Sequence, residues 1–495
     1  MSKKHTQIND RFVEYFRETF FADKPEELAA FLSALTKPLP KTIRVNTNRI
    51  SVADFEKRAK KNGWILTPTP NPTVFRIDRV DTRLPLGHTL EHLLGYFYIQ
   101  ELSASMSVHY LTQNTPKVSQ KRRDLCENGV PEGTVRNSTV NEETEIGTQR
   151  SSFSEAFIIL DMAASPGGKT TQLREHYPNA TIVANEPTRD RMAQLVQNIE
   201  RMGANATAIT NYDGSFYGNV PETFDRILLD APCSGEGIGF KESQTVRYWN
   251  LKNIHTIARL QTKLLDAAFR ALKTGGELLY STCTLNQIEN EGVVETIRER
   301  YPESFEILFE KRFWPHEELS GGFFVCKIRK NTEIAPDEKN TKNHQLQKNE
   351  EITPINKESE RILTKFTEKV GLDLEDYLLF QFKKDILAIR KNQDFRPLLQ
   401  ELFFVRLGQK IGRIEDSTFT PDNRLGRDFK LTKTPVYQIQ DAQELDDYLR
   451  GAEIGVDMTD GWYVLQHDGL TISLERGQSK NGKLTNTFPR EWMRK

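Results

Sequence analysis

The feature of this chain that most constrains its fold is a regular alternation of strand-like and helix-like segments between Ala156 and about Lys330. Short apolar runs end in polar residues, as in FIILDMAA, ATIVANE and FDRILLDAP. Between them lie runs with helical spacing, such as RDRMAQLVQNIERMG and IARLQTKLLDAAFRALKTGG. Because each helix returns the chain to the same end of the sheet, the pattern predicts a doubly wound α/β fold with a mostly parallel sheet. The last segment, FWPHEELSGGFFVCKIRK, predicts a closing hairpin with Cys326 in the core.

Composition divides the rest of the chain around this α/β unit. An amphipathic helix and strands such as KTIRVNT predict a small N-terminal α+β module. A stretch rich in Thr, Ser, Asn, Glu and Gly predicts a flexible insertion, and a second polar stretch predicts a linker. After the linker we expect helices over Glu360–Leu402 and then short strands. The predicted division is an N-terminal module at 1–111, an insertion at 112–155, the α/β unit at 156–330, a linker at 331–359 and a C-terminal α+β region at 360–495.

The composition excludes several classes of protein. Hydrophobic residues make up 37% of the 495 residues, which is enough for packed cores and excludes a wholly disordered chain. No run of about 18 apolar residues occurs, and the N-terminus lacks the apolar core of a secretory signal, so we expect a cytoplasmic protein without membrane spans. The four cysteines form no C-x-x-C pair, so we expect no metal site. The net charge of −1 leaves a nucleic-acid partner open.

A glycine turn, DMAASPGGKTT, follows the first strand of the α/β unit and begins at Asp161. Glycines let a ligand approach the backbone closely, and the helix that follows offers free N–H groups. Two ligands fit such a turn: a nucleotide phosphate, or the carboxylate end of S-adenosylmethionine. The phosphate-binding motif G-x-x-x-x-G-K-[ST] requires glycine where this chain has Ala163, and Pro166 also interrupts the loop, so an ATPase is disfavoured.

Acidic residues follow three successive strands of the α/β unit. Glu186 ends the second strand, where a carboxylate can accept hydrogen bonds from two ribose hydroxyls. Asp213 follows the third strand, where it can accept from an adenine amino group, and Asp230 ends the fourth. Each alone is more often a turn or helix-cap residue. Ligands of open α/β sheets bind at these strand ends, so together the three acids indicate a cofactor site.

Two cysteines lie just beyond strand ends of the same sheet edge, in the segments DAPCSGEG and YSTCT. A thiolate at this edge is able to attack C6 of a pyrimidine, which makes C5 nucleophilic toward a sulfonium methyl donor. Asp230 is the candidate acid that hydrogen-bonds the base ring. The residue types leave open whether Cys233 or Cys283 attacks, or whether a given cysteine is only a small buried side chain. Cys126, in the predicted insertion, is interpreted as a small buried side chain.

The ordered motifs resemble one family. They are Asp161–Thr170, Asp230–Gly235, Ser281–Thr284, the closing GGFFVCKIRK, and the upstream KTIRVNT and GYFYIQELSASM. Together they resemble the RNA cytosine-5 methyltransferases of the NOL1/NOP2/Sun group. The resemblance implies a class I S-adenosylmethionine-dependent fold, with S-adenosylmethionine as cofactor, and methyl transfer to C5 of cytosine in RNA. A DNA methyltransferase is disfavoured because the Thr-Cys motif would then be superfluous.

The resemblance also implies roles for individual residues. Cys283 is the nucleophile, Cys233 assists product release, Asp230 contacts the base and Lys169 lies near it. The family often has C-A-A-P-G-G-K in the glycine turn, where this chain keeps small residues, whereas the insertion at 112–155 is longer than expected. The implied cofactor contacts are Ala163, Ala164, Ser165, Pro166, Gly167, Gly168, Lys169, Glu186, Asp213 and Asp230.

The C-terminal region resembles that of the F-type bacterial small-subunit rRNA methyltransferases, which contains a PUA-like RNA-binding module. The signals are LDDYLRGAEIG, GWYVLQHDG and NTFPREWMRK. The chain end is basic, with interleaved aromatic rings suited to phosphate contacts and base stacking, although a solvated tail is an equal alternative. Arg44 and Asn46 are further candidate RNA contacts. The residues of the basic end are Lys480, Lys483, Phe488, Arg490, Trp492, Arg494 and Lys495.

The expected substrate is 16S-type small-subunit rRNA, free or in an assembling subunit, with no DNA or membrane partner. The same chemistry on tRNA is the first alternative, because the catalytic motifs do not separate the two RNAs. A non-catalytic RNA-binding protein of ribosome assembly is the second. Loss of either cysteine or of Asp230 would indicate it, and all three are present.

Overall fold

The computed structural model describes residues 8–113, 157–239, 242–318, 320–334, 352–393, 395–455 and 458–494. Cys126 and most of the predicted insertion and linker lie outside these ranges. No helix in the described ranges is long and apolar enough to cross a membrane.

The N-terminal module is a four-stranded antiparallel sheet with helices around it. The order of its strands is β2-β3-β1-β4, so that β1 lies between β3 and β4. Its elements are α1 (Asp10–Phe20), α2 (Pro25–Ala34), β1 (Thr42–Val45), α3 (Val52–Lys61), β2 (Trp64–Pro68), β3 (Val74–Arg79), α4 (Leu90–Leu93), β4 (Phe97–Ile99) and α5 (Leu102–Thr112).

The central unit is a seven-stranded sheet in the order β10-β11-β9-β8-β5-β6-β7. Strands β5 to β9 are parallel, and the β10–β11 hairpin adds antiparallel to β9, which confirms the predicted doubly wound fold. Cys326 is fully buried in β11, as expected. The strands are β5 (Ile158–Asp161), β6 (Thr181–Asn185), β7 (Thr207–Thr210), β8 (Phe224–Asp230), β9 (Leu272–Thr282), β10 (Phe305–Phe313) and β11 (Phe323–Lys330). The helices are α6 (Gly168–His176), α7 (Arg189–Met202), α8 (Ser243–Arg247), α9 (Leu251–Ala271), α10 (Glu291–Arg300) and α11 (Pro315–Glu318).

The C-terminal region contains two five-stranded sheets, in the orders β12-β13-β14-β15-β16 and β17-β19-β20-β21-β18. The first sheet is β12 (Ile352–Pro354), β13 (Tyr377–Phe382), β14 (Asp385–Arg390), β15 (Gln409–Glu415) and β16 (Thr418–Pro421). The second is β17 (Val436–Gln438), β18 (Ile454–Gly455), β19 (Gly461–His467), β20 (Leu470–Gln478) and β21 (Lys483–Leu484). The helices are α12 (Lys357–Val370), α13 (Leu425–Asp428) and α14 (Ala442–Leu449).

The predicted run of helices over Glu360–Leu402 is wrong beyond Val370. Helix α12 ends at Gly371, whose left-handed φ of 70° stops the helix. The next residues, YLLFQF and DILAIR, form the hairpin β13–β14 because aromatic and β-branched side chains pack well on a sheet. Strand β12 and the start of α12 lie inside 331–359, the segment predicted to be a linker.

Arg44 and Asn46 hold the N-terminal module on the α/β unit instead of facing RNA. Arg44 is fully buried and donates to Gly168 O (2.6 Å), Thr171 Oγ1 (2.8 Å) and Glu175 Oε1 (3.0 Å), all on α6. Asn46 is 1% exposed and donates to Gly95 O and Met202 O. The prediction of RNA contacts by these two side chains is therefore wrong, because both are enclosed by protein.

The C-terminal rings are also part of a core. Phe488 and Trp492 are 3% and 7% exposed and pack with Tyr448, so the prediction that they stack on RNA bases is wrong. Arg494 bonds Asp446 and Lys483 bonds Glu453. Lys480 and Arg490 are exposed, and Lys495 lies outside the described residues.

The C-terminal region covers β7, an edge strand of the seven-stranded sheet. The backbone of Ile209, in β7, donates to Arg406 O and accepts from Val405 N, both at 2.8 Å. Apolar residues from the same region, including Phe395 and Phe404, join the core of the α/β unit. The two units therefore share buried surface.

Candidate active site

The carboxyl end of β5 leads through a tight turn, residues 162–167, into α6. Gly167 has a φ of 103°, a conformation that side chains rarely adopt, and a Cβ there would lie 3.2 Å from Leu195 Cδ1. The backbone bonds of α6 begin with Thr171 donating to Gly167 O (2.9 Å), so the N–H groups of the first turn of the helix have no acceptor within it. A helix N-terminus of this kind suits the carboxylate of S-adenosylmethionine.

The start of α7 fixes the same turn from the side. Ser165 Oγ donates to Arg191 O (2.8 Å), and Arg191 donates back to Ser165 O (3.1 Å). Ala164 and Ser165 are buried, whereas Pro166 is exposed. The structure thus brings the predicted contacts Ala163 to Lys169 together at the carboxyl edge of the sheet.

Glu186 and Asp213, two of the three acids predicted to contact the cofactor, occupy different environments. Glu186 follows β6, is 1% exposed, accepts from Thr188 N (2.9 Å) and lies 3.6 Å from Arg191 Nη1. Asp213 is exposed and accepts from Ser215 N (2.9 Å), which makes it the N-cap of a 3₁₀ helix over Gly214–Asn219. Glu186 therefore lies beside the glycine turn, while the Asp213 carboxylate has a local structural bond of its own.

Lys169 and Asp230 form an ion pair between α6 and the end of β8. Lys169 Nζ donates to Asp230 Oδ2 (2.7 Å), and Ser281 Oγ donates to Asp230 Oδ1 (2.9 Å). Burial lowers the pKa of Lys169, but the Asp230 carboxylate outweighs burial and raises it. The pair therefore places a permanent positive charge at the edge of the sheet.

The two predicted catalytic cysteines meet beside this pair. Asp230 lies opposite Ser281 in the parallel β8–β9 ladder, so the loops after the two strands start side by side. Cys233 Sγ lies 2.9 Å from Cys283 Sγ, and both are free, half-buried cysteines. The pKa of the Cys233 thiol is raised well above its ordinary value, first by its hydrogen bond to Cys283 and then by burial. Cys233 is therefore held as the neutral thiol.

Sequence reasoning missed three buried polar residues that shape the site. Asn185 ends β6 and donates to Met162 O (3.2 Å) and Tyr212 O (3.0 Å), which joins the loops after three strands. Glu236 and Glu289 connect the two cysteine loops. Glu236 stands in the motif DAPCSGEG, but nothing in the sequence indicates that its carboxylate is enclosed.

The expectation of no metal site remains a prediction. Among the described residues, Glu27, His316 and Glu317 offer ligand atoms within 4.8 Å of one another. They lie on α2 and α11, apart from the residues predicted for catalysis.

Two family models match the chain. One, described as 16S rRNA methyltransferase RsmB/F, matches residues 152–329. The other, the N-terminal domain of 16S rRNA methyltransferase RsmF, matches residues 8–102.

Curated relatives match almost the whole chain. The ribosomal RNA small subunit methyltransferase F of Vibrio cholerae is 32% identical over 95% of this chain and 94% of its own length. That of Shigella boydii is 33% identical over 97% of each. The chain belongs to the RsmB/F methyltransferase family. These matches confirm the resemblance seen in the motifs. They also confirm that the protein is an S-adenosylmethionine-dependent methyltransferase.

Solved structures agree with this fold. A methyltransferase homolog protein from Pyrococcus horikoshii is 27% identical and has a TM-score of 0.51, covering 66% of this chain and 96% of that chain. The crystal structure of NSun6 from Pyrococcus horikoshii with SFG is 23% identical and has a TM-score of 0.51, covering 66% and 99%. The second likeness concerns the fold alone.

Proposed function

We propose that this RsmB/F-family protein methylates C5 of one cytosine in small-subunit rRNA, in the cytoplasm, on free rRNA or on an assembling subunit. The observation that carries the proposal is the pair of free thiols 2.9 Å apart beyond the ends of β8 and β9, beside Asp230 at the end of β8 and its ion pair with Lys169 of α6. The rRNA substrate is supported by the names of the relatives that match almost the whole chain.

In the proposed reaction, the Cys283 thiolate attacks C6 of the cytosine and forms a carbon–sulfur bond. Negative charge then develops on the base ring, and the Lys169–Asp230 pair stabilises it through hydrogen bonds and the positive charge of Lys169. S-adenosylmethionine, when bound, supplies the methyl group that C5 accepts. The N-terminus of α6 and Glu186 are proposed to hold that cofactor, with Ala163 to Gly168 lining the turn and Asp213 near the adenine.

Cys233 is proposed to act in the second half of the reaction. Its raised pKa comes first from Cys283, so the cause disappears once the Cys283 sulfur is bonded to carbon. With that contribution gone, the half-buried Cys233 thiol gives its proton to solvent water more readily, and its thiolate removes the proton from C5. The electrons of that C–H bond re-form the C5–C6 double bond and expel the Cys283 thiolate, which releases the methylated cytosine.

The target base has to leave its stack to reach Cys283, which costs a few kcal/mol. Backbone contacts by the N-terminal module and the C-terminal region are proposed to supply this energy. The exposed cations Lys480 and Arg490 remain candidates for phosphate contacts in this role.

The test is transfer of a tritiated methyl group from S-adenosylmethionine to separated unmodified rRNA, tRNA and small subunits. Wild type is expected to label small-subunit rRNA, Cys283→Ala to label nothing, and Cys233→Ala to accumulate a covalent protein–RNA adduct. Label in tRNA alone would reassign the substrate and keep the chemistry. Activity surviving in Cys283→Ala would overturn the proposed nucleophile, and no label in any substrate would favour the non-catalytic alternative.

A further inference from the structure

Two buried carboxylates connect the loops that carry the cysteines. The first cysteine loop, residues 231–238, follows β8 and contains Cys233 and Glu236. The second, residues 283–290, follows β9 and contains Cys283 and Glu289. Both glutamate side chains are 0% exposed, so neither contacts solvent.

Glu236 belongs to the first cysteine loop, but its hydrogen bonds hold the second. Its Oε2 atom accepts from Thr284 Oγ1 (2.7 Å), Leu285 N (3.0 Å) and Asn286 N (2.9 Å). These three residues come directly after Cys283. The backbone that carries the proposed nucleophile is therefore anchored on an acid from the opposite loop.

Glu289 makes the converse connection. It belongs to the second cysteine loop, and its Oε2 accepts from Ser234 N (3.0 Å), the residue directly after Cys233. Gln261, on α9, donates to the same Oε2 (2.9 Å) and to Pro232 O (2.8 Å), so both neighbours of Cys233 are held. The Asn286 amide donates to both glutamates, at 3.0 and 2.8 Å.

The chemistry of these contacts requires carboxylates. The hydroxyl, indole and amide groups around Glu236 all donate, so only a group with acceptors on both oxygens satisfies them. Among the described residues, neither glutamate forms an ion pair with Lys or Arg. Burial raises the pKa of Glu289, so the arrangement has a cost in folding free energy.

We propose that Glu236 and Glu289 form a reciprocal clasp that sets the distance between the Cys233 and Cys283 sulfurs. Each acid holds the backbone beside the other loop's cysteine, and charge-assisted bonds in a buried network restrain both loops. The glutamates are positioning residues, because they act through the cysteines and contact neither base nor cofactor. This role in catalysis rests on the two-cysteine reaction proposed above.

The separation of the sulfurs can be tested without RNA. Diamide takes up the two electrons and two protons that two thiols lose as a disulfide forms, and the bond forms only between sulfurs that approach closely. In a Cys126→Ser background, we expect Glu236→Gln and Glu289→Gln to slow the Cys233–Cys283 cross-link about tenfold, measured by peptide mass spectrometry. Glu475→Gln is the matched control, because Glu475 is equally buried and multiply bonded but lies in the C-terminal region.

Methyl transfer gives the second readout. We expect kcat to fall about 100-fold in Glu236→Gln, as for a misplacement of about 1 Å, with the KM for S-adenosylmethionine within about twofold of wild type. If that variant no longer binds S-adenosylmethionine, Glu289→Gln takes its place, because the Glu289 carboxylate accepts three hydrogen bonds and that of Glu236 accepts five. Wild-type cross-linking and wild-type kcat in both Gln variants would overturn the clasp. Failure of the cysteine mechanism itself is distinguishable, because Cys283→Ala would then stay active.

Discussion

At the scale of the residue, the site uses charged groups that are paired before any substrate arrives. Lys169 and Asp230 are 13% and 30% exposed and 2.7 Å apart, so the ammonium group is fixed at the edge of the sheet with one carboxylate beside it. Because the proposed attack on C6 builds negative charge on the base, a prearranged cation at this point lowers the barrier without reorganisation.

Replacing Lys169 with Gln removes that cation and keeps the length of the side chain. We expect kcat to fall by about 10²- to 10³-fold, the usual cost of removing one preorganised donor that stabilises developing charge. Single-turnover methyl transfer to rRNA measures it. The control is Lys273→Gln, because Lys273 forms a similar pair with Asp225 (2.9 Å) at the opposite, amino ends of β8 and β9. The methyl-transfer rate of this control is expected to stay at the wild-type value. A rate for Lys169→Gln equal to that of the control would contradict the assigned role.

Much of the candidate site could be predicted from the sequence, because strand ends gather at one edge of a parallel sheet. Cys233, Cys283, Asp230 and Lys169 meet as expected. The burial of a charged residue is harder to predict, since it depends on partners distant in the chain. Arginine is a residue type that commonly contacts RNA. Arg44 instead donates hydrogen bonds inside the protein, to the Glu175 carboxylate and to the carbonyl oxygen of Gly168.

At the scale of the element, α6 is the structural link between the cofactor turn and the N-terminal module. Its first residues line the predicted cofactor site, and its next turn receives the buried Arg44 of β1. Burial raises the pKa of Glu175 to about 7, although Arg44 opposes that shift. The position of the turn therefore depends on an ion pair that is removed from water.

Replacing Arg44 with Met leaves the Glu175 carboxylate buried without its partner. We expect the free energy of unfolding to fall by about 3–5 kcal/mol, as for other broken buried pairs. Urea denaturation measures this change. The double variant Arg44→Met, Glu175→Met removes both charges and is expected to recover most of the loss. Equal stability of the single and double variants would show that the charge on Glu175 is not the cause.

The end of a helix could be predicted from the sequence only where the glycine that terminates it is easy to recognise. Helix α7 ends at Gly203 as predicted, because a long amphipathic run leads directly to the glycine. Gly371 ends α12 in the same left-handed conformation, but the apolar residues on both sides, Val370 and Leu372, obscure it in the sequence. The hairpin β13–β14 was missed because its apolar run has no period that separates a strand from a helix.

At the scale of the whole molecule, the three parts of the chain meet at one acid, Asp428, and a second acid, Glu200, joins two of them. Asp428 of the C-terminal region bonds Arg49 of the N-terminal module and Asn205 of the α/β unit, both at 2.9 Å. Glu200, on α7, bonds Arg406 and Arg424 of the C-terminal region. Charged side chains therefore connect the C-terminal region to both other parts of the chain.

Replacing Glu200 with Ala removes the carboxylate partner of the partly buried Arg406, while Arg424 keeps its pair with Asp422. We expect a loss of about 3 kcal/mol, localised at this interface, so that the C-terminal region opens before the α/β unit unfolds. Limited proteolysis during a thermal ramp detects early cleavage between the two. Glu295→Ala is the comparison, because Glu295 forms an exposed pair with Arg298 that contributes little. Simultaneous cleavage and unfolding in Glu200→Ala would refute the coupling.

Because β7 is covered by a region that is synthesised later, this strand is exposed while the chain is being made. A strand at the end of a sheet presents unpaired backbone groups, which recruit strands from other chains and start aggregation. The ribosome completes the α/β unit before it synthesises Val405 and Arg406, the residues that satisfy Ile209. Until the C-terminal region has been synthesised, the β7 edge of the newly made sheet is therefore open to pairing with neighbouring nascent chains. Docking of the C-terminal region ends that exposure.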